Sequence, residues 1–346
     1  MTSRFLEYAS LAQLGFNYLA NIANVATGKA MQRIEAVSGE YFNYKELLSA
    51  DKEYYSQLPK FLAEAGNRVK SSKLYLFDQV FDVKQSFDKT VKNPQYKNVI
   101  KRIFGEQIAF FGQEAGDHWL YNRTAIAMAK RKRVIKNGNE MSLWDALEVK
   151  FDSNAIPYLD YNDITNTDGS VFNVNEFQRT IANVNQGLFG VYNTEDSNAA
   201  NRVALGRLLQ QYRKWIKPQM NKRFMGKQYN IALQREQEGY YRTLLRLINE
   251  GIRGKQQIGT WFKDLSDMEK YNLRRVLAEM TQFIALALVV KLVDWPDDKE
   301  RSHALKMAEY IAKRELHELG GLAPSPIMLQ EQLKNVKTPI PSLSAA

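Results

Sequence analysis

Apolar residues recur at three- and four-residue spacing over most of this 346-residue chain, the period of one face of an α-helix. Phe5, Leu6, Ala9, Ala12, Leu19, Ile22 and Ala26 mark a first helix over 3–37, which Ser38-Gly39-Glu40 stops. Asn43 followed by Glu46 has the form of a capping box and opens a second helix to about Ala65, which Pro59 should kink. Further helices are predicted at 72–88, 95–111, 115–136 and 142–150, the last opened by Ser142 and Asp145. Val174, Phe177, Ile181, Val184 and Leu188 predict another up to Gly190. Leu205, Leu208, Leu209, Tyr212 and Ile216 lie on one side of a helix that Pro218 is expected to end. A second basic helix follows over 227–250, with Ile231, Leu244, Leu245 and Ile248 inward. Ser266 and Glu269 form another capping box before the longest apolar helix, 267–294, which Trp295-Pro296 stops. A polar helix from Asp297 to Leu319 ends at Gly320-Gly321.

The pattern breaks over 151–172, where Pro157, Asp160, Asp163 and Asp168-Gly169 stand among Asn and Thr residues. This stretch reads as loop with room for a short hairpin, and as the best place for a domain boundary. The expected fold is therefore all-α and elongated, in two helical lobes. Residues 1–150 form the N-terminal lobe, 151–172 a loop-rich connection and 173–320 a basic C-terminal lobe. Pro324, Pro326, Pro339 and Pro341 make 321–346 an extended arm.

Composition supports a folded, helical chain: 45% of residues are apolar and 25% charged, with nine prolines and nineteen glycines. The absence of cysteine excludes disulfides and thiolate metal sites. The N-terminus lacks the basic-then-apolar pattern of a secretory signal. Phe283 to Val290 is too short an apolar run to span a bilayer. Tyr8 to Gly28 carries no charge, but Gln13, Asn17, Asn21 and Asn24 make it a poor span.

Charge changes the picture most. From Ser197 to Arg235 there is no Asp or Glu, while Arg202, Arg207, Arg213, Lys214, Lys217, Lys222, Arg223, Lys227 and Arg235 are all positive. The net charge of the whole protein is +10, and residues 200–263 account for all of it. Aromatic residues, including Trp215, are interleaved with the cations. Like charges without compensating acids repel, so the segment calls for a phosphate backbone or an acidic protein surface as its partner. Arg207, Arg213, Lys214, Lys217, Lys222, Arg223, Lys227 and Trp215 are the candidate contact residues.

Catalytic motifs mostly fail. His317-Glu318 lacks the second histidine of a zinc-protease helix, because position 321 is Gly321. Asn166-Thr167-Asp168-Gly169 resembles the middle of a calcium loop, but Ile164 and Asn175 occupy its end positions; it reads as a turn. No phosphate loop or dinucleotide fingerprint is present, and no cofactor is expected. Glu114, Asp117 and His118 could share a metal or a proton at helical spacing, although a salt-bridged cluster accounts for them as well. Lys130-Arg131-Lys132-Arg133 sits at an expected helix end, where positive charge suits the helix dipole.

The run Gly187-Leu-Phe-Gly-Val-Tyr-Asn-Thr-Glu-Asp, continuing into Arg207-Leu-Leu-Gln-Gln-Tyr-Arg-Lys-Trp-Ile-Lys-Pro-Gln-Met-Asn-Lys-Arg-Phe, resembles large virion proteins of crAss-like tailed bacteriophages. Ile34-Glu-Ala-Val-Ser-Gly-Glu-Tyr-Phe and Ala323-Pro-Ser-Pro-Ile-Met add to the resemblance. It implies a long helical cargo or ejection protein, housed in the virion in several copies beside capsid, portal or tail proteins. It carries no catalytic residue. The leading expectation is thus a non-enzymatic virion component that contacts DNA or an acidic virion partner through 200–263. The alternatives are a polymerase-associated subunit or other enzyme acting on nucleic acid, and an ejection protein with transient membrane contact.

Overall fold

The structure is a computed structural model that describes residues 18–64, 67–83, 111–190, 216–230, 233–254, 263–293, 309–310, 312–313 and 316–317. In chain order its elements are α1 (Tyr18–Ser38), α2 (Tyr44–Ala63), α3 (Lys73–Phe81), α4 (Phe111–Arg131), β1 (Arg133–Lys136) and β2 (Asn139–Ser142). There follow α5 (Leu143–Ala146), β3 (Glu148–Phe151), β4 (Pro157–Asp160), β5 (Ile164–Asn166) and α6 (Val174–Phe189). The rest are α7 (Ile216–Phe224), β6 (Gln228–Asn230), β7 (Arg235–Gln237), α8 (Tyr240–Gly254) and α9 (Asp267–Val293). The chain divides into two compact units. One holds Gly39–Asn185 with Ile231–Leu233; the other holds Met1–Ser38, Gln186–Asn230 and Gln234–Ala346.

In the Gly39–Asn185 unit, α2 packs along α4. Asn43 caps α2, taking hydrogen bonds from Lys45 N and Glu46 N while Glu46 returns one to Asn43 N. Pro59 lies inside this helix. Leu47, Ala50, Tyr54 and Phe61 are its buried stripe. A second part of the core is aromatic: Phe77 meets Phe81 at 4.7 Å and Trp144 at 5.1 Å, and Phe81 meets Phe177 at 5.5 Å between ring centres. Such offset and edge-on pairs add to the gain from burial alone.

The all-α expectation is wrong. Among the described residues three small antiparallel sheets accompany the helices, so the protein is mixed α and β. The helix expected over 115–136 ends at Arg131, and 133–136 is β1 instead. Asn137-Gly138 explains why. Both have positive φ, 53° and 77°, and they form the two-residue connection between β1 and β2, with Lys136 opposite Asn139. Asn-Gly suits this turn because it tolerates left-handed backbone at both central positions. The 142–150 helix shrinks to four residues capped by Ser142, after which β3 pairs with β4. β5 pairs with β1, completing the order β2-β1-β5.

In the other unit, α1, α7 and α8 gather around α9. Ser266 and Glu269 cap α9 reciprocally. The basic helix expected over 227–250 is interrupted: Asn230 pairs with Arg235 in the β6–β7 hairpin, and α8 starts only at Tyr240. Gly239 lies so close to the end of α7 that an added Cβ would sit 2.6 Å from the Arg223 carbonyl. The inward residues of α8 are Tyr240, Tyr241, Leu244 and Leu247, packed with Val276 and Leu273 of α9. Leu245 and Ile248, expected inside, are 61% and 46% exposed. Pro218 does not end the helix expected to stop there: it lies within α7, which runs on to Phe224. Nearly all of the helix expected at 95–111, the helix marked by Leu205, Leu208, Leu209 and Tyr212, and the 321–346 arm lie outside the described residues, as does nearly all of 297–319.

Candidate functional site

Of the eight candidate contact residues, Arg207, Arg213, Lys214 and Trp215 lie outside the described residues. Lys217 is in α7. The other three are placed in full, and each holds a carboxylate. Lys222 Nζ donates to Glu35 Oε2 of α1 at 2.7 Å. Arg223 is fully buried: its Nε donates to Glu279 Oε1 of α9 at 3.0 Å, and Nη2 reaches the same oxygen. Its Nη1 donates to Gln219 Oε1 at 2.6 Å. Lys227 pairs with Glu236 across the β6–β7 hairpin at 2.7 Å, where both are exposed. The acids missing from the basic stretch are thus supplied partly by helices far away in sequence.

These pairs belong to a larger ionic interior. Glu35 accepts from Arg275 Nη2 at 2.5 Å and from Ser38 Oγ at 3.1 Å. Arg275 Nη1 donates to Asn272, whose amide donates to Thr243 Oγ1; Thr243 in turn donates to Glu238. Arg246 donates to Glu238, Glu250 and Glu269. Burial alone would raise the Glu35 pKa, but Arg275 and Lys222 outweigh it and hold the carboxyl far below its usual range. Tyr240 donates to Glu279 Oε2, and burial pushes its phenol well above the ordinary value. The chemistry of this interior is structural. Its charges are spent on one another and tie α1, α7 and α8 to α9.

His118 is enclosed in the other unit. Its Nδ1 lies 2.9 Å from Tyr54 Oη and its Nε2 3.0 Å from Asp78 Oδ2. The Phe61 ring covers it, 5.1 Å between centres. Both ring nitrogens are therefore engaged by residues from α2 and α3, and His118 offers no lone pair to a metal. Among the described residues no three His, Asp or Glu side chains gather as a metal site. Sequence spacing suggested Glu114 and Asp117 as partners; Tyr54 and Asp78 were missed because they lie 64 and 40 positions away.

The Lys130–Lys136 cluster divides. Lys130 pairs with Glu53 and Asp145, Arg133 with Glu140, and Lys136 with Glu148. Arg131 makes only a 3.5 Å contact with the Gly39 carbonyl. Arg131 and Lys132 line a mostly polar pocket of about 390 Å³, with Glu40 and Glu176 and with Met128, Phe172 and Phe177.

Among the described residues no helix is long and apolar enough to cross a membrane. No family model matches the chain, and no curated protein or solved structure matches it either.

Proposed function

We propose that the protein is a non-enzymatic component of a tailed-phage particle, in which the described helices form a charge-clasped scaffold and Arg207, Arg213, Lys214, Lys217 and Trp215 contact DNA. The observation that carries this reading is the division of the basic stretch. Lys222, Arg223 and Lys227 hold carboxylates of the protein itself. The cations upstream have no acid near them in sequence from Ser197 onward. Phosphates would supply the missing negative charge, and Trp215 could stack on an exposed base. The engaged state of His118 weighs against the enzymatic alternative. The resemblance to crAss-like virion proteins supplies the setting: several copies per particle, next to capsid, portal or tail proteins.

The test is DNA binding followed across a salt series, with Arg213→Glu, Lys214→Glu and Lys217→Glu combined. For duplex DNA the logarithm of affinity should fall with log salt by about 0.9 for each phosphate contacted. The triple variant should bind at least about tenfold more weakly at low salt and show a shallower slope. Binding indifferent to both salt and substitution overturns the DNA contact. Retention instead by an acidic virion protein would move the contact to that partner.

A further inference from the structure

We propose that the outward face of α9 is an interface between two copies of this chain, which pair antiparallel along a seam centred on Ile284. The observation is an inversion of polarity around this helix. Towards its own unit α9 buries charges: Arg275 holds Glu35, Glu279 holds Arg223, and Asn272 is buried with them. On the other side, Leu277, Met280, Ile284 and Leu288 are 62%, 49%, 59% and 56% exposed. At 100° per residue these four share one narrow arc, opposite Arg275 and Glu279. Their steps of three, four and four residues are those of a coiled-coil seam. No charged residue occurs from Met280 to Val290, so the row is unbroken by groups that water would hold. An apolar row facing out from a helix whose inner face is ionic marks a contact surface.

The row is its own complement. With Ile284 opposite Ile284 in an antiparallel pair, Met280 of each copy meets Leu288 of the other. Both copies then use the same residues, as two-fold pairing requires. Charge selects the direction. Arg274 is exposed beside the seam, donates to the Ser38 carbonyl at 3.2 Å and holds no carboxylate. Antiparallel pairing brings it to the carboxyl end of the other α9, at Val293, where the helix dipole favours a cation. Parallel pairing would instead set Arg274 against Arg274 and Lys291 against Lys291, with the two dipoles aligned. From Leu277 to Leu288 the seam is about 17 Å long and one helix wide. That is well short of the roughly 800 Å² per partner of a standard interface, so the dimer is weak and reversible.

Sedimentation equilibrium of the full chain, without DNA, tests this. A reversible monomer–dimer equilibrium is expected with a Kd of about 100 μM or tighter. It should persist at about 0.5 M salt, because an apolar seam is not screened. Ile284→Glu sets two carboxylates face to face and should weaken the dimer at least about tenfold. Leu245→Glu, on α8 and outside the seam, should leave it unchanged. Far-UV circular dichroism verifies that both variants are folded. The chain has no cysteine, so Ile284→Cys and Leu277→Cys each carry a single thiol. On oxidation Ile284→Cys should form a disulfide between copies. Leu277→Cys should not, because its two thiols would stand about 21 Å apart along the seam. The proposal is overturned if the chain stays monomeric at about 500 μM, whether another segment of the chain or a different protein covers the seam. It is equally overturned if a dimer forms that Ile284→Glu does not weaken, or if the two cysteine variants cross-link alike. The DNA contact rests on other residues, and its outcome is independent of this one.

Discussion

In the α9-centred unit the buried polar groups include paired full charges: Glu35 between Lys222 and Arg275, and Arg223 against Glu279. In the Gly39–Asn185 unit one buried polar cluster is Tyr54, His118 and Asp78, a chain of two hydrogen bonds among aromatic rings with a single carboxylate at its end. The difference lies in what each cluster must overcome. Removing two ions from water costs several kcal/mol apiece, so such a pair tolerates no missing partner. A hydrogen-bonded chain gives up less on burial and depends on geometry more than on charge. The ionic interior should therefore be the more brittle of the two, and acid should act on it first.

The largest expected effect is at Arg223. Arg223→Met leaves Glu279 buried without its cation, with Tyr240 still donating to it, and should cost about 3–5 kcal/mol in urea denaturation. Arg223→Met combined with Glu279→Leu should recover most of that loss, because a well-packed apolar pair replaces a buried ion pair at little cost. A double variant as unstable as the single one would show that the cation acts through packing and not through charge.

These clusters also show how far the sequence could be read. The capping residues Asn43 and Ser266 were legible because their partners Glu46 and Glu269 lie three positions away. The β1–β2 hairpin was announced by Asn137-Gly138, yet the helical spacing upstream suggested a helix through residue 136, over the whole of β1. The ionic clasps were not legible at all. Arg223 and Glu279 are 56 positions apart, and Arg275 and Glu35 are 240 apart. A basic run looks the same in sequence whether its cations face solvent or a distant carboxylate. The same limit hid Tyr54 and Asp78 from His118, and Phe172 and Phe177 from Arg131.

Acid provides the next test. The folded-state pKa of Glu35 is depressed relative to the unfolded chain, so the unfolded state binds more protons as pH falls. Its contribution is fully present above the unfolded carboxyl value of 4.5, and it is lost progressively as pH drops towards the folded value. Thermal midpoints of the α9-centred unit should decline below that point, and Glu35→Gln should flatten the decline while lowering stability at neutral pH. An unchanged acid profile in Glu35→Gln would move the titration elsewhere.

In the hydrogen-bonded cluster the effect should be smaller. Tyr54→Phe removes the partner of His118 Nδ1 without opening a large cavity. Leaving that nitrogen buried and unsatisfied should cost about 1–3 kcal/mol, read as a shift in denaturation midpoint. A loss as large as that of Arg223→Met would erase the distinction between the two interiors.

The smallest effect is expected four residues from the largest. Lys227 belongs to the same basic stretch as Arg223 and also holds a glutamate, Glu236, at 2.7 Å. Both members of that pair are surface groups, with side chains 50% and 59% exposed. Water already solvates each charge, salt screens their attraction, and holding two long side chains together costs entropy that offsets the gain. Lys227→Ala should therefore leave the denaturation midpoint unchanged at any ionic strength. A measurable loss would mean that the β6–β7 hairpin relies on this pair to hold its register. In that case the contrast within the stretch would rest on position along the chain instead of on burial.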